Sequence, residues 1–272
     1  MQKKTISYIV IILFILVSWA SAQNHATPDD YGQNVPSPEY FGTVVLNNYS
    51  KQAGMASVVF DHWLHRATFN CRICHVDIGF AMKSKASAIR AKDNIAGYYC
   101  GTCHDGKRVV NGKEIFAACA VKYTAEEGKR CVRCHSDCAT GQREYEYQAF
   151  TKDLPLLEKN LIDWEKAEAQ GLIHSIDTLE GVFYKTDAIQ AQKDFSIESR
   201  SWRKSDVMFS HKKHVIWNGC EVCHPMIFPS SQKGTVQYSM FEIMDGEYCG
   251  ACHVNVAFSV WLCYKCHKDP VQ

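Results

Sequence analysis

Six copies of Cys-x-x-Cys-His constrain this chain more than any other feature. They are Cys71/Cys74/His75, Cys100/Cys103/His104, Cys131/Cys134/His135, Cys220/Cys223/His224, Cys249/Cys252/His253 and Cys263/Cys266/His267. They consume 12 of the 14 cysteines and half of the 12 histidines, so the sulfur of this chain has essentially one use. The pattern is the attachment signature of c-type haem. Two thiols add to the haem vinyl groups, and the adjacent imidazole lies beneath the iron as proximal ligand. A zinc ribbon instead pairs two Cys-x-x-Cys knuckles in one tetrahedral site and does not need a histidine after each. A disulfide framework does not need one either. The expected cofactors are six covalently attached haems c, bonded to the twelve motif cysteines and ligated by the six motif histidines.

Lys and Arg number 30 against 29 Asp and Glu. That balance gives no basic stripe, and nucleic acid is excluded as a partner on that ground. Residues 1–22 read as a signal peptide: Lys3 and Lys4, an apolar stretch from Ile6 to Val17, and an Ala20-Ser21-Ala22 cleavage site. The apolar stretch is short for a membrane span, and no stable membrane insertion is expected after cleavage. Export agrees with haem attachment, which takes place outside the bacterial inner membrane, so the expected location is periplasmic or the cell exterior. Cleavage leaves 250 residues, about 42 per haem, too few for a conventional core around each site. The porphyrins must supply much of the buried surface.

Shifted by 149 residues, the chain matches itself. Residues 58–104 lie on 207–253 without a gap, so that Phe60, His62, His65, Gly97, Tyr99 and Gly101 recur as Phe209, His211, His214, Gly246, Tyr248 and Gly250. The third motif breaks register: His104 to Cys131 spans 27 residues and His253 to Cys263 only 10. The first half therefore carries 17 extra residues. The spacing divides the chain into a signal peptide (1–22), an extended or irregular N-terminal arm (23–57), a first module (58–140), a helical linker (141–206) and a second module (207–272).

Phe60-x-His62-x-x-His65 before Cys71, and Phe209-x-His211-x-x-His214 before Cys220, resemble the opening of triheme cytochrome c7 domains, relatives of cytochrome c3. The Tyr-Cys-Gly-x-Cys-His form of each second motif is similar to c7-type repeats of metal-reducing bacteria. The resemblance implies a fold that is mostly irregular, with short α-helices and minimal β-structure. The implied architecture is that of a haem-cored multihaem cytochrome with two tandem triheme modules. It also implies distal ligands: His62 and His211 for the irons at His75 and His224, and His65 and His214 for those at His104 and His253. Two histidines three apart share one side of a helical turn yet diverge, which suits two neighbouring irons.

In c7 domains the last distal ligand comes from just before the second motif, as His or Met. Met240 occupies that place in the second half and is the expected partner of the His267 iron, with Met244 as its rival and gap-filling by a thioether as the plain structural reading. His/Met ligation raises reduction potential relative to His/His. The corresponding residue in the first half is Ala91. His174, Met82 and an open position are the alternatives for the His135 iron. A solvated linker side chain is the plain reading of His174.

Asp153-Leu154-Pro155 opens a helical pattern with Leu157, Leu161, Trp164 and Ala167 on one stripe, closed by Gly171. This stripe should pack on a module or between the two. Cys119 and Cys138 are expected to form a disulfide pinning the inserted loop, worth roughly 3 kcal/mol by chain entropy. Saturated irons cannot bind substrate, so the chain reads as an electron carrier rather than an enzyme, exchanging electrons with redox proteins such as other cytochromes or quinol-linked donors. The resemblance implies anaerobic respiratory electron export to metals or other acceptors. Two alternatives remain: a reductase with a five-coordinate haem at His135, and a self-assembling subunit of a cytochrome filament or outer-membrane conduit, with Gln23 to Tyr40 as the assembly arm.

Overall fold

A computed structural model describes residues 36–120, 122, 124–136, 140–182, 193–199, 206–229 and 232–268. Elements are short throughout, as a chain with so little protein per motif requires. In order they are β1 (Thr43–Leu46), β2 (Val58–Asp61), α1 (His62–Arg66), α2 (Ala91–Ile95), β3 (Val109–Val110), β4 (Lys113–Glu114), α3 (Ala125–Gly128), α4 (Thr140–Thr151), α5 (Trp164–Ala169), β5 (Phe195–Ile197), β6 (Val207–Phe209), α6 (His211–Asn218), α7 (Met240–Met244), α8 (Gly250–His253) and α9 (Cys263–Cys266). Most of the remaining described chain is irregular, as expected. Among the described residues no helix is long and apolar enough to cross a membrane. The expected signal peptide lies outside them.

Each half opens on a two-stranded antiparallel ribbon. β1 pairs with β2 with Val44 opposite Phe60, and β5 pairs with β6 with Phe195 opposite Phe209. The arm expected to be extended or irregular up to residue 57 contains one extended segment that pairs as a strand, β1. Position 44 corresponds to 195, an offset of 151 rather than 149. The repeat therefore continues upstream of the stretch that matches without a gap, beyond a two-residue slip. Isolated bridges tie the end of each half back to its start, Val58 to His135 and Val207 to His267.

The connected apolar cluster lies outside both sets of motifs. Trp63 of α1, Tyr147 of α4, Ile162, Trp164 and Ala167 of α5, and Ile173 pack together, with Phe150, Leu154 and Trp217 against them. The linker stripe does bury Leu161, Trp164 and Ala167, but not as one helix. Pro155 restricts Leu154 and offers no N–H. Leu157 and Asp163 donate instead to the carbonyls of Leu161 and Pro155, at 2.6 and 2.8 Å. Lys159 and Asn160 turn through left-handed backbone. α5 starts only at Trp164, where the Asp163 side chain accepts from the Lys166 N–H. Gly171, at φ 67°, follows its end as expected.

The 17 extra residues form two insertions. Phe116 and Phe258 hold equivalent places beside His104 and His253, which puts 7 extra residues before Phe116 and 10 after it. The first contains the β3–β4 hairpin. Cys119, in the second, has a free thiol that accepts weakly from Asn94 Nδ2 at 3.8 Å. Its expected partner Cys138 lies outside the described residues.

Candidate haem-iron centres

α1 presents His62 and His65 toward two different motif histidines. The His62 ring lies nearly parallel to that of His75, with centroids 6.4 Å apart and 5° between planes. His65 faces His104 at 6.3 Å. In the second half His214 faces His253 at 6.2 Å. A metal held about 2.0–2.1 Å from a ring nitrogen on either side sets two imidazole centroids slightly more than 6 Å apart. The spacing of all three pairs fits one iron between two histidines.

The second ring nitrogen supports the same reading. In nine histidines (His62, His65, His75, His104, His135, His211, His214, His224 and His253) Nδ1 lies 2.6–3.1 Å from a backbone carbonyl oxygen. A carbonyl only accepts, so Nδ1 carries the proton and Nε2 keeps its lone pair for a metal. Burial pushes the pKa of His62, His65 and His253 down to about 4, so these rings are neutral at pH 7 and able to ligate. Burial likewise pushes the thiols of Cys74, Cys100 and Cys252 up to about 12. Sulfur in these walls is uncharged, and a thioether is uncharged at every pH.

Two glycines fix how the second motif of each half meets the helix before it. A Cβ on Gly101 would stand 1.8 Å from the Asn94 carbonyl oxygen, and one on Gly250 1.8 Å from that of Ile243. α2 and α7 therefore rest directly on the motif backbone. Tyr99 and Tyr248, just before each first cysteine, adopt positive φ of 49° and 51°. Such backbone is costly for a bulky residue and persists only where its surroundings enforce it.

The other expected ligands are less closely paired. His211 contacts Phe195 and Phe209, whereas the His224 ring lies against Phe228. Met240 begins α7 and is 43 % exposed; Met244 is half-buried at the other end of the helix. Met82 is half-buried in an irregular segment. His174 is exposed, with its ring close to Gly171, and among the described residues no ring pair joins it to His135. Sequence reasoning missed the carbonyls of Gly42 and Lys193, which accept from His62 and His211. They are backbone atoms at the 151-residue offset, and no side chain marks them.

The family described as cytochrome c7 and related cytochrome c matches residues 58–136 and 207–268, together more than half of the chain. Among solved structures, the chain is similar to the C-terminal hexahaem fragment of GSU1996, with 23% identity, 83% of this chain and 96% of that chain covered, and a TM-score of 0.25. The N-terminal hexahaem fragment gives 22% identity, 84% and 98% coverage, and a TM-score of 0.25. The dodecahaem cytochrome c GSU1996 gives 21%, 84%, 75% and 0.27. No curated protein matches the chain. With the family matched over both sets of motifs, with histidine pairs that suit haem iron and motif cysteines that suit its porphyrin edge, this chain belongs to the cytochrome c7 and related cytochromes c, and is a multihaem c-type cytochrome.

Proposed function

We propose that the chain binds six haems c in two triheme modules and conducts electrons outside the cytoplasm, in anaerobic respiratory electron export to metals or other terminal acceptors. Each haem supplies a one-electron iron couple. The chain's residues attach, orient and insulate it. The twelve motif cysteines hold the porphyrin edges. His75, His104, His135, His224, His253 and His267 are the proximal ligands. His62, His65, His211 and His214 are distal ligands, and Met240 serves the His267 iron. The backbone carbonyls at Nδ1 fix the tautomer and rotation of nine of these ten rings, so little rearrangement accompanies a change of iron charge. Modules of residues 58–140 and 207–272, joined by the linker, form a short wire. Its partners are redox proteins, and the signal peptide of residues 1–22 sends it out of the cytoplasm.

The observation that carries this reading is the spacing of the three histidine pairs, which leaves those irons no open position. The test is the mass of the exported protein together with its EPR spectrum. Six added macrocycles and low-spin signals for at least five irons are expected; fewer macrocycles would end the six-haem reading. A second reading concerns the His135 iron alone. Ala91 stands where Met240 stands in the other half, and His174 is exposed. An open position there would bind a small ligand and give a reductase. A high-spin signal and a spectral shift with cyanide on one haem in six would establish it, and an all-low-spin protein would exclude it.

A further inference from the structure

Arg66 closes α1 and sits where the two halves meet. Its guanidinium carbon lies 4.7 Å from the ring centroid of Trp164 and 5.1 Å from that of Trp217. One indole belongs to the linker and the other to α6. Nη1 donates to the Val256 carbonyl at 3.0 Å, four residues beyond Cys252. Nε is shielded from solvent and has no hydrogen-bond partner among the described residues. Cys71, Cys252, Glu168, His62 and His253 all lie within electrostatic reach of Arg66. Cys71 is in turn within electrostatic reach of both Cys223 and Cys252. The arginine thus lies on the helix just before the first attachment site of one module and bonds the chain just after the second attachment site of the other.

The groups that hold the Arg66 head are uncharged. Two ring faces and a neutral carbonyl attract a cation but do not neutralise it. Cys71 and Cys252 become uncharged thioethers once haem is attached, which leaves Glu168 as the acidic side chain among those five. An enclosed charge is weakly screened and acts over longer distances than a surface one. The second module has no counterpart, because position 215, equivalent to 66, is Val215.

We infer that Arg66 is a fixed cation at the module junction that raises the reduction potentials of the two haems attached through Cys71 and Cys252. Electrons crossing between modules would then rest preferentially on that pair. The inference rests on the six-site reading above. The physical step is Fe(III) plus one electron giving Fe(II), which lowers the charge of the haem by one. A nearby cation favours the less positive form. Arg66 is thus a positioning and tuning residue of the junction and not an iron ligand.

The test is a redox titration of the full haem-loaded protein, followed haem by haem by NMR, with the mass measured first. Arg66→Met should lower the midpoints of the haems proximal to His75 and His253 more than those of the other four. Arg66→Lys keeps the charge and should keep all six. Should Arg66→Met fail to accumulate, Arg66→Gln, with a polar head for the Val256 carbonyl, should show the same larger drop at those two haems. Full loading with six unchanged midpoints would overturn the inference alone. So would a drop in Arg66→Lys equal to that in Arg66→Met, since packing rather than charge would then be responsible. A missing macrocycle on Cys71 or Cys252 would overturn the six-haem reading and the inference with it.

Discussion

At the helix that follows the ribbon, the first half carries Trp63 and Arg66 where the second half carries Lys212 and Val215. The flanking features are the same in both: a Phe beside two histidines, Nδ1 bonded to the carbonyl four residues back in His65 and His214, and a glycine under the preceding helix of the second motif. The histidine-bearing side of the helix is thus duplicated while its opposite side has diverged. The first half's outer side docks the linker, through Trp63 against Tyr147 and Phe150. The second half meets the linker through Trp217 and through the surface ion pair of Lys213 with Glu165. Ligand geometry is constrained by the cofactor, but the backs of the modules are free to specialise.

The sharpest way to break this comparison is at its most divergent position. Trp63 is 6 % exposed within the apolar cluster. Trp63→Ala should destabilise the protein by about 3–5 kcal/mol through lost contacts and a residual cavity. Lys212→Ala, at the equivalent surface position, should stay within about 0.5 kcal/mol. Chemical denaturation of both variants checks the pair, and equal losses would show that the linker does not discriminate between the modules.

Positions 61 and 210 differ in a related way. Asp61 accepts from Thr43 Oγ1 at 2.6 Å and forms an ion pair with Arg143, both partly shielded from water. Burial pushes the Asp61 pKa up, outweighing the help of Thr43 and Arg143, so the carboxylate depends on those partners. Its counterpart Ser210 caps α6 through the Lys213 N–H and also hydrogen-bonds the exposed Asp194 carboxylate. Asp61→Asn should cost about 3 kcal/mol because Arg143 keeps a buried charge without a counter-ion. Ser210→Ala should cost about 1 kcal/mol, as loss of an ordinary helix cap does. Thermal unfolding at one pH compares the two.

Where the halves agree, matched substitutions should agree as well. Gly101→Ala and Gly250→Ala each drive a methyl group into a backbone carbonyl that no side-chain movement can clear. Each should cost about 1–3 kcal/mol by overpacking, and the two losses should match to within measurement error. A large loss in one alone would mean that α2 and α7 do not rest on their motifs in the same way.

The comparison also explains what could be read from the sequence. The motifs and the 149-residue repeat were legible because covalent attachment confines its chemistry to five consecutive residues. His62 and His65 were legible because one helical turn carries both. The ribbon strands were not: β1 and β5 are related by a different offset and share little beyond an apolar residue opposite Phe60 and Phe209. α4 was missed because it is rich in polar residues and buries only scattered ones, such as Arg143 and Tyr147. The spacing of Leu157, Leu161, Trp164 and Ala167 mimics a helix, but Pro155 and the left-handed Lys159 and Asn160 break it. The third distal ligands stayed open because the candidates do not recur between the halves: Met240 begins α7 but its counterpart is Ala91, and Met82 and His174 lie in irregular segments.

The smallest expected effect concerns the helices that precede the second motifs. In α7, Ser239 Oγ accepts from the Glu242 N–H at 3.2 Å while the Glu242 carboxylate accepts from the Ser239 N–H at 3.0 Å. This satisfies two orphan donors reciprocally. In α2 only the second half of that exchange exists. The Asp93 carboxylate accepts from the Arg90 N–H at 2.8 Å, and an arginine side chain has no acceptor to return. Ser239→Ala should therefore cost about 1 kcal/mol, whereas Arg90→Ser should stabilise the first half by up to about 1 kcal/mol. Arg90 also lies over the Tyr49 ring, its guanidinium carbon 3.7 Å from the centroid. That contact is worth about 0.5–1 kcal/mol at an exposed site and offsets part of the gain. Arg90→Ser in a Tyr49→Leu background removes the offset. Denaturation midpoints that rise more in that background than in the wild type would identify the incomplete cap as the reason the first helix is the weaker of the two.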